Sequence, residues 1–179
     1  FLITKIFLEK NVYYFLLKLL KKKYKMDKTK IKQSILATIC SIITIGMLTI
    51  LTYKTNYGIF LIASFGSTMV LLYGYPESPF AQPKNIFFGH LLTSLVGIVC
   101  LNFIAVPIYI MIPIAVGLGV GLMILLNVTH PPAGGNPIIV IIGSVSYDYL
   151  ITPVILGSII VIVFGVLINK FILKKAYPQ

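Results

Sequence analysis

Two short stretches of small and polar residues interrupt otherwise apolar sequence, and they carry most of the side chains that could do chemistry. The first runs from Ala63 to Thr68 and the second from His130 to Asn136. Small residues let backbone N–H groups approach a ligand closely, and the first four N–H groups of a helix have no partner within that helix. Because the helix dipole adds partial positive charge at this end, each stretch predicts a site for a small anion that needs no basic side chain.

The candidate substrate-binding residues are the small or hydrogen-bonding members of the two stretches. They are Gly66, Ser67, Thr68, His130, Ala133, Gly134, Gly135 and Asn136. A lysine at the centre of a spanning helix costs roughly 2.5–3.5 kcal/mol, which favours N–H groups over a buried cation. The same small residues also permit close packing between helices, and we give this interpretation equal weight.

Four further residues are candidates for gating or for supporting the site: Glu77, Gln82, Lys84 and His90. Glu77 and Lys84 are predicted either to form an ion pair at the lip of a pathway or to anchor a plain surface turn. His90 lies inside an apolar segment, where an ionisable residue usually faces the protein interior. Since histidine titrates near neutral pH, His130 is a candidate to bind an anion, relay a proton or cap the preceding helix.

The surroundings of these residues are those of a membrane protein. The 44 residues from Asn85 to Val128 include no acidic residue, lysine or arginine. A spanning helix needs about 20 apolar residues, so this run is long enough to cross a bilayer, turn and return. Hydrophobic residues make up 58% of the chain and charged residues 11%, whereas a soluble domain carries about 25% charge. The chain is therefore predicted to be an all-α polytopic membrane protein.

Six apolar segments can be drawn, and two of them are short or broken. They are residues 33–53, 57–73, 85–105, 113–128, 137–147 and 150–169. The fifth would cover only about 16 Å as a helix, about half a bilayer. The three prolines and two glycines just before it exclude a regular helix there.

A weak internal repeat accompanies these segments. Glycines recur at an offset of 68 residues, as Gly66 and Gly134, Gly89 and Gly157, and Gly97 and Gly165. Three crossings in each copy would make a 3+3 inverted repeat, an architecture of transporters whose sites lie where short helices meet near the midplane. Four spans with two re-entrant segments are the alternative, and the charge distribution fits both.

Basic residues are concentrated at the two ends of the chain. Ten of the 15 lysines lie in residues 1–32, and three lie between residues 170 and 175. This is the positive-inside pattern, so both termini are expected in the cytoplasm, near anionic lipid and not on nucleic acid. We divide the chain into a basic amphipathic segment (1–32), a transmembrane domain (33–170) and a basic C-terminal tail (171–179). Upstream of Met26 we expect either a surface helix or non-native sequence.

Signatures of enzymes and of metal or cofactor sites are missing from the sequence. There is no Gly-x-Ser-x-Gly, no phosphate-binding Gly-Lys-Ser/Thr loop and no His-Glu-x-x-His. Cys40 and Cys100 both fall in apolar segments and are expected to be packing residues. We therefore predict no enzymatic activity, no cofactor and no metal.

Several motifs in the same order resemble the HPP family of integral membrane proteins. They are His130-Pro131-Pro132 with Ala133-Gly134, Phe65-Gly66-Ser67, Pro76-Glu77-Ser78-Pro79, Ala81-Gln82-Pro83-Lys84-Asn85 and Gly89-His90. The resemblance covers about residues 33–170, and it departs from the family at Gly135-Asn136-Pro137, where other small residues are usual.

The resemblance implies a function, because family members in chloroplast envelopes and cyanobacteria are nitrite transporters. It points to a transporter or channel for a small monovalent anion, with nitrite as the first candidate, in a bacterial plasma membrane. The expected partners are this anion and the lipid bilayer, with a further copy of the chain if the protein forms oligomers. The alternative is a structural or regulatory membrane subunit that transports nothing.

Overall fold

The computed structural model describes residues 27–179, and the regular secondary structure within this range is entirely helical. The chain divides into two compact units, Phe1–Lys32 and Gln33–Gln179. Only residues 27–32 of the first unit are described, so most of the predicted amphipathic segment lies outside the described residues. The all-α polytopic class predicted from the sequence is confirmed.

Between residues 27 and 179, four helical stretches are long and apolar enough to cross a membrane. They are α1 (Lys28–Lys54), α3 (Pro83–Phe103), α4 (Ile108–Leu125) and the stretch Leu150–Leu173, whose central part is α6 (Leu156–Leu167). Helix α3 and the stretch Leu150–Leu173 agree with predicted segments to within four residues at each end, and α1 begins five residues before its predicted segment. The fourth, α4, begins directly after Pro107, which presets the backbone for a helix start.

Two short helices complete the fold, and both are shorter than predicted. Helix α2 (Ala63–Met69) continues through a π-helical turn, Val70–Gly74, and α5 (Asn136–Gly143) follows a 3₁₀ turn, Pro131–Gly135. The prediction for 57–73 was too long because Gly58 has φ +116° and residues 57–62 are not helical. The prediction for 137–147 was too long because Ser144 turns left-handed and ends α5. Neither short helix can cross a bilayer alone.

Helix α3 lies at the centre, packed against α4, α5 and α6. A Cβ added to Gly97 of α3 would lie 2.9 Å from the Cα of Pro137 and 3.0 Å from the Cβ of Val140, closer than real Cβ atoms approach. A Cβ on Gly165 of α6 would lie 2.7 Å from the side chain of Leu72. These glycines therefore bring each short helix into direct contact with a long one.

The end of the chain, within the segment predicted as a basic C-terminal tail (171–179), packs onto the rest of the domain. Tyr177 is buried, and its hydroxyl donates to the Ala81 carbonyl oxygen at 2.8 Å. The backbone N–H of Gln179 donates to Oε1 of Gln82 at 2.8 Å. The segment thus combines lysines with a tyrosine, Tyr177, that lies in the apolar core.

Candidate functional site

A group of buried polar side chains lies where α2, α3 and the start of α5 meet. Its members are Ser64 and Thr68 of α2, His90 and Thr93 of α3, His130 of the α4–α5 link, and Asn136 of α5. Ser64 is 6% exposed and the other five are 0% exposed. We call these six residues the buried polar cluster. It joins the two stretches that the sequence singled out, which lie more than 60 residues apart in the chain.

Asn136 holds the cluster together. Its Oδ1 accepts a hydrogen bond from Ser64 Oγ at 2.7 Å, and its Nδ2 donates to the carbonyl oxygen of His90 at 3.2 Å. A carbonyl can only accept, so the amide nitrogen faces α3 and the amide oxygen faces α2. Nδ2 also lies 3.0 Å from His90 Nδ1 and 3.1 Å from Thr93 Oγ1.

The two imidazoles lie next to each other with a hydroxyl group between them. Their ring centroids are 4.9 Å apart, and Thr68 Oγ1 lies 3.2 Å from His90 Nε2 and 2.9 Å from His130 Nε2. His130 Nδ1 lies 2.7 Å from the carbonyl oxygen of Phe80, so Nδ1 carries a proton. The amide nitrogen of Asn136 has only two hydrogens for three acceptors, so two of these acceptors share one hydrogen. A hydrogen on His90 Nδ1 would point at this donor, so Nδ1 is the acceptor and the proton of neutral His90 sits on Nε2.

The cluster contains no charged partner. His130 lies outside the four spanning helices, and burial lowers the pKa of its imidazole to about 4, although the hydrogen bond to the Phe80 carbonyl opposes this shift. Within residues 27–179, no lysine or carboxylate forms a hydrogen bond or ion pair with a cluster residue. The arrangement therefore presents neutral donors and acceptors, which suits a ligand of low charge.

The predicted substrate-binding residues separate into two groups. Thr68, His130 and Asn136 belong to the cluster, and Ala133 is buried beside it. Gly66 and Ser67 are exposed, because they lie on the face of α2 that points away from the cluster.

Gly134 and Gly135 are half-buried and loosely surrounded. An added Cβ on Gly134 would have its nearest neighbour 4.0 Å away, and one on Gly135 would meet nothing within 4 Å.

The predicted gating residues also separate. His90 belongs to the cluster itself. Gln82 supports the loop before α3, where its Nε2 donates to the carbonyl oxygens of Pro76 and Ser78 at 3.0 and 2.9 Å. Glu77 and Lys84 are both exposed, and no ion pair joins them in the described part of the chain. Lys84 instead lines an apolar groove on the outside of α3.

Two members of the cluster were not among the sequence candidates. Ser64 lies in the first stretch but was passed over for Gly66 and Ser67. Thr93 lies one helical turn after His90, and it donates to the Gly89 carbonyl oxygen at 2.8 Å while accepting from Asn136. The spacing of polar residues along the apolar helix α3 was the signal that could have identified Thr93.

The sequence that forms these helices and the histidine-containing link matches a known family. The family sequence model for the HPP transmembrane region matches residues 26–178 of this chain. This chain belongs to the HPP transmembrane family. It is therefore an integral membrane protein, as the apolar helices also indicate.

Two relatives of this HPP-family chain are transmembrane proteins of Dictyostelium discoideum. One is 32% identical over 125 residues, which cover 66% of this chain and 44% of the relative. The other is 31% identical over 148 residues, covering 77% of this chain and 48% of the relative. The matches thus span about half the length of each relative. No solved structure matches the chain.

Proposed function

We propose that this HPP-family protein transports a small monovalent anion, with nitrite as the first candidate, through the buried polar cluster. The observation that carries the proposal is the meeting of two chain breaks at a group of hydrogen-bonding side chains enclosed by apolar helices. Burying polar groups is unfavourable compared with a well-packed apolar core. Polar and ionisable residues at membrane depth therefore mark substrate or ion pathways more often than packing sites.

The chemistry of the cluster supports an anion of single charge. Ser64, Thr68, Asn136 and the two imidazoles offer O–H and N–H donors without a fixed positive charge. A neutral site with several donors stabilises a monovalent anion, whereas a divalent anion would need a cation beside it.

The glycine contacts support the repeat architecture. A Cβ on Gly89 would lie 3.3 Å from the Val128 carbonyl oxygen, and a Cβ on Gly157 would lie 2.6 Å from the Phe60 carbonyl oxygen. Both the glycines and the carbonyls are 68 residues apart in sequence. Helices α3 and α6 thus each lie against the chain just before the short helix of the other copy. In this proposal the two copies rock against each other and expose the cluster alternately to either side, with both termini in the cytoplasm.

A second candidate function, a structural subunit without transport, is favoured by one observation. The cluster is closed to solvent, and neither of the two outer grooves on α1–α2 and α3 includes a cluster residue. A packing core would be closed in every state, whereas a transporter closes only between its open states.

Flux through purified protein in liposomes separates the two candidates. We expect uptake of nitrite to exceed uptake of nitrate, formate and chloride, and we expect Asn136→Leu to reduce nitrite flux at least tenfold. The matched control is Asn169→Leu, which changes another fully buried asparagine whose Nδ2 donates to the carbonyl oxygens of Leu72 and Gly165. Equal flux in the two variants, measured per folded protein, would place the pathway elsewhere; no flux in the wild type would favour the structural subunit.

A further inference from the structure

We propose that His90, Thr68 and His130 form a proton relay, so that one proton moves with the transported anion. This inference rests on the proposed transport function and adds the coupling ion to it. The observation behind it is the geometry of three side chains in a row, each within hydrogen-bond distance of the next. Imidazole and hydroxyl groups both accept a proton on one atom and release another, which is the property that a relay requires.

All the hydrogen bonds of the row run in one direction. The amide of Asn136 donates to His90 Nδ1, and His90 Nε2–H donates to Thr68 Oγ1. Thr68 O–H donates to His130 Nε2, and His130 Nδ1–H donates to the Phe80 carbonyl oxygen. The two ends set this direction, because an amide nitrogen can only donate and a carbonyl oxygen can only accept.

The Thr68 hydroxyl has one other acceptor within reach, the carbonyl oxygen of Ser64 at 3.1 Å. His130 Nε2 is closer at 2.9 Å, and it would have no donor if the hydroxyl turned away. A buried acceptor left without a donor costs about 1–3 kcal/mol. The hydroxyl proton therefore belongs between Thr68 and His130.

A transfer along the row balances in protons and involves no electron transfer. A proton binds His90 Nδ1, and the Nε2–H bond of His90 breaks as an O–H bond forms at Thr68. The original hydroxyl proton of Thr68 forms an N–H bond at His130 Nε2, and His130 releases its proton from Nδ1. One proton enters and one leaves, and both imidazoles finish in the opposite tautomer.

Both ends of the row are blocked in the closed conformation. Neither the amide of Asn136 nor the carbonyl of Phe80 exchanges protons, so the relay conducts only when α5 or the 3₁₀ turn Pro79–Ala81 moves away. The same movement would open the cluster to the anion. Proton transfer and anion access thus depend on one conformational change, which is the condition for coupling.

Among the residues that the structure describes, no other titratable group is hydrogen-bonded to a member of the row. Each imidazole is the titratable neighbour of the other, at 4.9 Å between centroids. The charged residues of the adjoining segments, Glu77, Lys84 and Asp148, are exposed and do not bond to either imidazole. The buried tyrosines bond elsewhere, Tyr73 to Thr44 and Tyr177 to the Ala81 carbonyl.

Nitrogen NMR tests the row without any substrate. The chain has only two histidines, so protein labelled with ¹⁵N-histidine and purified through a histidine-free tag shows four imidazole nitrogens. We expect mixed neutral tautomers at pH 7, with the proton on Nε2 of His90 and on Nδ1 of His130. A His130→Gln variant assigns the signals. The same tautomer on both rings, or a doubly protonated ring, would overturn the relay.

Proteoliposomes containing a pH-sensitive dye test the coupling. We expect an inward proton gradient to drive nitrite uptake, with one proton entering per nitrite. Thr68→Val should lower the number of protons that enter per nitrite at least tenfold, measured on whatever nitrite flux the variant retains, and Thr68→Ser should restore this ratio. Thr44→Val is the matched control, because Thr44 is also fully buried and hydrogen-bonded but lies on α1.

The outcomes separate this inference from the proposed function. Nitrite exchange without proton movement in the wild type would overturn the relay and leave anion transport standing. Proton movement without nitrite exchange would support the relay and overturn nitrite as the substrate. Equal loss of proton entry in Thr68→Val and Thr44→Val would show a general packing effect and overturn the relay.

Discussion

The two junctions between a short helix and a long helix share one backbone arrangement but differ in chemistry. At one junction Gly89 of α3 meets the chain at Val128 before α5, and at the other Gly157 of α6 meets the chain at Phe60 before α2. The corresponding residues are 68 positions apart in every case. Close approach of the backbones is thus a property of both junctions.

Their side chains differ where the histidines lie. Ser158 lies 68 positions after His90, and it is buried without a hydrogen-bond partner. Ile62 lies 68 positions before His130 and is also buried. The second junction therefore achieves the same packing with mainly apolar contacts. A junction of this kind can thus form with mainly apolar contacts, and we therefore connect the polar cluster with the proposed function.

The largest effect on stability is expected from replacing the glycine at each close contact with alanine. In Gly157→Ala the new Cβ would lie 2.6 Å from the Phe60 carbonyl oxygen, and in Gly89→Ala it would lie 2.7 Å from the His130 Cβ. We expect each variant to lose about 3 kcal/mol of unfolding free energy, because a packed backbone cannot move aside. Denaturant unfolding in detergent measures this loss.

Gly134→Ala is the control, since its added Cβ has its nearest neighbour at 4.0 Å. The comparison becomes sharper when flux per folded protein is measured as well. Gly89→Ala should lose nitrite flux because it displaces His130, whereas Gly157→Ala should retain it. Similar flux in both variants would mean that the histidine-containing junction has no special role.

A smaller effect on stability is expected from a change in pH, and only at the junction that contains the histidines. The pKa of His130 is about 4 in the folded state and about 6.5 in an unfolded chain. The unfolded state therefore binds the proton first as pH falls, so stability is highest above pH 6.5 and decreases toward pH 4. Between pH 7 and pH 4.5 we expect the free energy of unfolding to fall by about 2 kcal/mol.

The variant His130→Gln should have a weaker pH dependence than the wild type over this range, measured by unfolding in detergent at several pH values. An unchanged dependence would show that His130 is not held neutral by burial.

The smallest effect on stability is expected from two serines, Ser158 at the apolar junction and Ser64 in the buried polar cluster. Ser158→Ala removes a buried hydroxyl without a partner and should stabilise the protein by up to about 1 kcal/mol. Ser64→Ala removes the donor to Asn136 Oδ1 and should destabilise it by about 1 kcal/mol or more. Thermal unfolding of both variants measures the difference, and a loss of stability in Ser158→Ala would point to a hydrogen bond there.

Much of the fold could be predicted because lipid imposes simple rules on a sequence. The uncharged run from Asn85 to Val128 required two helices, and α3 and α4 occupy most of it. The helix ends were less predictable, since a positive φ at Gly58 and at Ser144 shortened α2 and α5. The packing of Tyr177 was not predicted, because the lysines near it indicated only a basic segment.

The candidate site could be predicted only in part. The small and polar stretches drew attention to Thr68, His130 and Asn136, which the structure brings together, because polar residues rarely interrupt apolar sequence without a reason. Which face of α2 points inward could not be read from Gly66, Ser67 and Thr68, since all three are small or polar. The structure turns Thr68 inward and leaves the other two exposed.

The sequence alone determined that this protein is a membrane protein, which segments form its long helices, and which two interruptions carry polar groups. The physical reason is that a stretch without charge, as long as a bilayer is thick, permits few other structures. Only the tertiary structure decided that the two breaks meet, that His90 joins them, and that the hydrogen bonds of the cluster run from Asn136 to Phe80. Such contacts depend on how helices pack against one another over distances of more than 40 residues, and no local pattern in the chain records them.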